Sequence, residues 1–339
     1  MTTSRIIRRK GSPVMTEHLP PQPGIMALPA RLRNALKMAG QRRDRGSVWI
    51  AAVMWLLIGG LVWAYFVAGA VGFLHMSAGQ ANGGGGAAAM DPGRSTGLAV
   101  SFGLVAVGTL LYTHFAGGIS WASLGMRRRD GRRRIFGGAA GTAVLYVAAM
   151  VLGDRVFQAL ATSQLGGPRG YPGMGTPDAR LLAGDITSLT FSGGIWEELT
   201  LLAIPVALFT ALVPLEKMGR TRRYINWSAL VVALLAARWA LHLYYGTPSS
   251  LYVLVWAPAA VALFLVSGTI WPLILAHSLY DAAAFTTARI PAANTAVTWL
   301  FWAAGAAAVI VLAGTGRSWW NRCRQTRQPR DLLASGGGI

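Results

Sequence analysis

Six ionisable side chains stand in stretches that are otherwise apolar: Glu197, Glu198, Arg238, His242, His277 and Asp281. Their spacing is regular. His277 and Asp281 are four residues apart in LAHSLYD, and Arg238 and His242 are four apart in RWALHLYYG. On a helix that spacing puts both members of a pair on one face. Glu197 and Glu198 are adjacent, about 100° apart around an α-helix, so one reaches a shared cavity and the other needs a cationic partner. A buried carboxylate beside a histidine can hold a water and accept its proton. A second histidine, oriented by an aspartate, can donate hydrogen bonds to a developing oxyanion. Those parts suffice to hydrolyse a peptide bond without a serine or cysteine nucleophile. Two histidines and one glutamate could instead hold a zinc ion that activates the water, although the chain contains no HExxH.

The placement of these groups is costly. A charged side chain at the centre of a membrane-spanning helix costs ~2.5–3.5 kcal/mol, so four of them cost on the order of 10 kcal/mol. That is comparable with the whole stability of an ordinary domain, ~5–15 kcal/mol. Incidental packing does not account for it. The groups must pair with one another, face a wet cavity, or both. The other nine of the 12 acidic residues fall in tails, loops or helix ends.

The elements that position them are apolar blocks of about 20 residues, the length needed to cross a hydrocarbon core ~30 Å thick. Spanning helices are predicted at 48–74, 97–120, 135–153, 188–214, 225–245, 249–267, 269–288 and 293–315. The chain is therefore expected to be all-α and polytopic, with about eight transmembrane helices. With 53% hydrophobic and only 13% charged residues, it has too little charge to cover the surface of a soluble domain this long. The division between the sixth and seventh helices rests on Ser267-Gly268 and the following Trp271-Pro272. Pro205 is expected to kink the fourth helix, and His114 in the second reads as a hydrogen-bonded packing residue. His75 at a membrane edge and His18 in the tail are no candidates.

The net charge of +19 is a matter of topology rather than of nucleic-acid binding. If both termini are cytoplasmic, segments 1–47, 126–134, 216–224 and 316–339 hold 25 of the 31 Lys and Arg residues. Only five lie on the other side (Arg94, Arg155, Arg169, Arg180 and Arg289), and Arg238 is inside a helix. That asymmetry obeys the positive-inside rule. The first apolar run reads as an uncleaved signal anchor, and Ala27–Arg45 as a short basic helix on the membrane surface. The domain plan is a basic tail over 1–47, a helical domain over 48–315 and a second basic tail over 316–339. The Gly-rich stretch at 81–93 and the long connection at 154–187 are read as tethers. Cys323 is the lone cysteine, which excludes an intramolecular disulfide, and reads as an unmodified thiol. The Trp residues, Trp319 and Trp320 among them, suit interfacial anchoring.

Three segments in order, GIWEELTLLAIP, RWALHLYYG and GTIWPLILAHSLYD, resemble the motifs of the CAAX prenyl protease and bacteriocin-processing (CPBP) family of intramembrane proteases. The resemblance covers roughly 188–290. It implies that Glu197 activates the water with His242 and that Glu198 is the second glutamate of the pair. It also implies that His277 and Asp281 form the oxyanion-stabilising pair. The substrates implied are membrane-associated proteins or peptides, and the Ala-, Gly- and Arg-rich composition suggests a bacterial plasma (inner) membrane. Two positions depart from the family pattern: Leu202 stands where the first motif usually has an arginine, and Arg238 where the second often has a phenylalanine. Arg238 is expected to supply the missing cation to Glu198 from the neighbouring helix. Two other readings stay open: a non-catalytic scaffold or bacteriocin-immunity factor of the same fold, and a proton-linked transporter.

Overall fold

The computed structural model describes residues 45–74, 92–126, 132–161, 179–243 and 249–327. The surface helix expected over Ala27–Arg45, most of the Gly-rich stretch, residues 162–178 of the long connection, His18 and His75 lie outside them. The described residues are helical, with no strand among them. In chain order the helices are α1 (Arg45–Leu74), α2 (Pro92–Phe115), α3 (Arg132–Ala161) and α4 (Leu182–Leu189). Two π-helical segments, Thr190–Glu197 and Leu199–Ala203, lead into α5 (Ile204–Leu212). Then come α6 (Arg220–Leu241), α7 (Val253–Ser267), α8 (Trp271–Arg289) and α9 (Asn294–Arg327).

The protein is an all-α polytopic membrane protein. Among the described residues seven helical runs are long and apolar enough to cross a bilayer, the run Ala179–Leu212 counting as one. The remaining predicted segment, 269–288, is α8, a helix of 19 residues that carries His277, Asp281 and Arg289 and is less apolar for it. Several helices exceed their predicted bounds. α3 continues past 153 and takes in Asp154 and Arg155, α4 begins early enough to include Asp185, and α9 runs to Arg327 with Cys323 in its last turns. A helix has no reason to stop where its apolar block stops, because its backbone hydrogen bonds continue until a cap or a breaker ends them.

The bundle is apolar on its outside as well as its inside. Trp49, Leu56 and Leu61 of α1 and Trp299, Trp302 and Ile310 of α9 are exposed, as suits helices that face lipid tails. The run Ala179–Leu212 is the most enclosed element, with α2, α8 and α1 packed on it. The polar groups Glu198, Arg238, His242 and His277 lie in this interior. The Ser267-Gly268 break is real: Gly268 takes φ 66° and its N–H donates to Phe264 O at 2.8 Å, closing α7. At Gly125 (φ 74°) a Cβ would crowd Phe264 and the Ile270 nitrogen, and the Gly125 carbonyl instead accepts from Ile270 N–H at 3.1 Å. This contact anchors the start of α8. His114 packs as expected, with Nδ1 2.7 Å from Ile119 O and its ring stacked on Trp121.

Pro205 sits at the join between the second π segment and α5 rather than in the middle of an α-helix. In the i→i+5 register of a π segment, its missing N–H would have served the Thr200 carbonyl. Trp55 of α1 fills that gap, its indole N–H donating to Thr200 O at 3.0 Å. Trp55→Phe keeps an aromatic ring and strands this carbonyl. Its thermal unfolding in detergent should show a loss of about 1–3 kcal/mol, and an unshifted midpoint would mean that Thr200 O finds another donor.

Candidate functional site

The glutamate pair straddles the two π segments, with Glu198 between them. Such insertions in a helix are frequent at functional sites because they redirect side chains without ending the helix. Glu198 is fully buried, and three elements supply its partners. Tyr146 of α3 donates its hydroxyl hydrogen to Oε1 at 2.7 Å. His277 of α8 donates from Nδ1 to the same oxygen at 2.8 Å. Arg238 of α6 donates from Nη2 to Oε2 at 2.8 Å and from Nη1 to the Tyr146 hydroxyl at 3.2 Å. Carboxylate, phenol and guanidinium therefore close a ring of hydrogen bonds. The expected pairing of Glu198 with Arg238 is present: Arg238 reaches across from its own helix, and Leu202 is buried among apolar groups.

Aromatic rings enclose this ring of polar groups. The Arg238 guanidinium carbon lies 5.2 Å from the centroid of the Trp256 ring, a cation–π geometry. Trp256 also stands 5.8 Å from the His242 ring and 5.5 Å from the His277 ring. The two histidines thus flank one indole.

His242 differs from its expected position. It is not a member of α6 but the residue that caps it, with φ −97° and ψ 8°. From there Nδ1 turns back to the Arg238 carbonyl at 2.8 Å. The four-residue spacing thus yields a side-chain-to-backbone contact instead of two side chains on one face. His277 and Asp281 do share a face of α8, Nε2 lying 3.6 Å from Asp281 Oδ2. His277 is therefore held between two carboxylates.

Glu197 stands apart from this network. Its Oε2 is enclosed, and no donor among the described residues reaches it. Ser278 Oγ and the indole N–H of Trp256 are likewise enclosed with no hydrogen-bond partner among the described residues. The close approach of α8 depends on Gly193 and Gly194. A Cβ on Gly193 would stand 2.5 Å from Asp281 Oδ2 and 3.4 Å from His277 Nε2, and one on Gly194 would overlap Ser278 Oγ.

Among the described residues no three His, Cys, Asp or Glu side chains converge in a way that fits a metal ion. The Nδ1 atoms of both histidines are engaged, one by Glu198 and one by the Arg238 carbonyl. The donor set expected for zinc is thus not assembled by these residues.

Sequence reasoning did not find Tyr146, Trp256, the Gly193–Gly194 pair or Ser278. An uncharged side chain in an apolar helix incurs little insertion penalty, and that penalty was the signal that marked the others. It also left Arg289 and Asp185 as a loop and a helix-end residue. They form an ion pair of 2.6 Å between the end of α8 and α4. No protein-family model, no curated protein and no solved structure matches this chain.

Arg238→Leu removes one partner of a buried pair and should cost about 3–5 kcal/mol, measured by thermal unfolding and by yield of folded protein. Adding Leu202→Arg to that variant should restore part of the loss, and a silent Arg238→Leu would show that Glu198 does not need a cation. Gly194→Ala forces a methyl group onto Ser278 and should cost about 1–3 kcal/mol. Ser278→Ala added to it should recover only part, because Ile274 O also stands 3.2 Å from the new Cβ.

Proposed function

We propose that this chain is an intramembrane endopeptidase of the CPBP type, acting on membrane-associated proteins or peptides. The observation that carries the reading is the contrast between two adjacent carboxylates. Glu198 is bonded to three donors, and Glu197 has an enclosed oxygen with none. A carboxylate oxygen enclosed without a donor costs free energy that a structural role does not require, whereas a general base needs an oxygen free to accept a proton.

In the proposed reaction a water lies between Glu197 and His242. Glu197 takes one proton as the water oxygen attacks the peptide carbonyl carbon. The carbonyl oxygen becomes an oxyanion, which is stabilised by the Nε2 hydrogen of a doubly protonated His277, its ring charge balanced by Glu198 at Nδ1 and by Asp281 beside Nε2. The C–N bond then breaks, and the proton on Glu197 passes to the leaving amine. Glu198 and Arg238 do not react; they hold His277 from the Nδ1 side. The location that fits the Lys and Arg distribution and the composition is the plasma (inner) membrane of a bacterium, with both ends cytoplasmic.

The test is cleavage of a panel of fluorogenic and membrane peptides by detergent-purified protein, with and without a zinc chelator. Glu197→Ala, His242→Ala and His277→Ala should each lower the rate by on the order of 10²–10⁴-fold, with wild-type activity indifferent to the chelator. Folded wild type that cleaves nothing, or cleavage indifferent to all three substitutions, would favour a scaffold or immunity factor. Proton-dependent uptake in vesicles would favour a transporter.

A further inference from the structure

We infer that Tyr146 is a positioning residue of this site, holding the Glu198 carboxylate so that Oε1 fixes a hydrogen on His277 Nδ1. The inference rests on the endopeptidase reading for its consequence in rate but not for its geometry. Tyr146 lies on α3, outside the segment that carries the three motifs, and it is fully buried.

The direction of its hydrogen bonds follows from the donor inventory. Arg238 has no acceptor atom, so at Nη1 the Tyr146 oxygen must accept. The single phenolic hydrogen is then left for Glu198 Oε1. Two donors, the phenol and His277 Nδ1, therefore share one carboxylate oxygen, at 2.7 and 2.8 Å, while Arg238 holds the other. The phenol thus does two things. It occupies the guanidinium nitrogen that would otherwise compete for the carboxylate, and it keeps Oε1 turned toward His277. With the Nδ1 hydrogen held on Glu198, the Nε2 hydrogen of the doubly protonated ring is the one left to face Asp281 and the substrate. The ring itself packs near His277 and Trp256, with centroids 6.2 Å from each, and a phenylalanine would preserve that packing.

The experiment follows the His277 Nδ1 proton by NMR in the full-length, detergent-purified chain labelled with ¹⁵N-histidine, the signal being identified by its absence in His277→Asn. In Tyr146→Phe, His277 becomes the sole donor to Oε1 and the proton should move downfield. With 3-fluorotyrosine at position 146, a stronger donor competes for Oε1 and the proton should move upfield. The second protein keeps the hydroxyl, so it tests the idea even if Tyr146→Phe does not fold. Where cleavage is measurable, Tyr146→Phe should lose on the order of 10²-fold in kcat with KM unchanged, since the hydroxyl orients a catalytic group and touches no substrate. A proton signal identical in all three proteins overturns the inference, and a shifted signal with unchanged kcat overturns its link to rate. Opposed shifts in the two altered proteins, together with a wild type that cleaves no peptide, leave the positioning role standing and remove the endopeptidase reading.

Discussion

Moving a carboxylate out of water costs several kcal/mol even after the protein relaxes around it. Glu198 has no solvent exposure, and that cost is offset only by donors that must come from other helices. They arrive from α3, α6 and α8. The relative positions of these three helices are thereby tied to one functional group. Any displacement that lengthened one bond would leave charge uncompensated in the apolar interior, where the penalty is largest. Apolar packing allows helices to slide by small amounts at little cost, and a triply bonded carboxylate does not.

Backbone irregularity is what makes the arrangement fit. The run from α4 to α5 passes through two π segments on either side of Glu198, and its adjacent glycines let α8 approach closely enough for His277 to reach across. The freed Thr200 carbonyl draws Trp55 from α1, and Trp63 donates to the Ala237 carbonyl of α6 at 3.0 Å. Polar atoms that regular helices would have satisfied internally thus become ties between helices. In a bilayer, which offers no water to exposed backbone, such ties are the permitted way to depart from the α register.

Much of this was legible in the sequence. Apolar block length located the eight helical segments. The cost of charge in those blocks singled out Glu198, Arg238, His277 and Asp281, which the structure brings into contact or ion-pair range. What was not legible has physical reasons. Periodicity in an apolar block cannot distinguish π from α register, so the turn at Glu197 and Glu198 was hidden. A capping residue and a helical residue look alike in sequence, so His242 was assigned to α6 rather than to its end. Tyr146 and Trp256 carry no net charge, and nothing about their own segments sets them apart until the bundle is assembled.

The cation that matches Glu198 lies 40 residues further along the chain. At a synthesis rate of 5–20 residues per second, the acidic helix emerges roughly 2–8 s before its arginine exists. During that interval Glu198 has at most Tyr146 as a partner, and its helix is a poor candidate for release into lipid. An arginine within the same helix would have entered the bilayer together with the acid. With its cation on the next spanning segment, the acidic helix is matched only once that segment has been translated. The order in which its helices leave the insertion machinery is therefore written into the pairing of its charges.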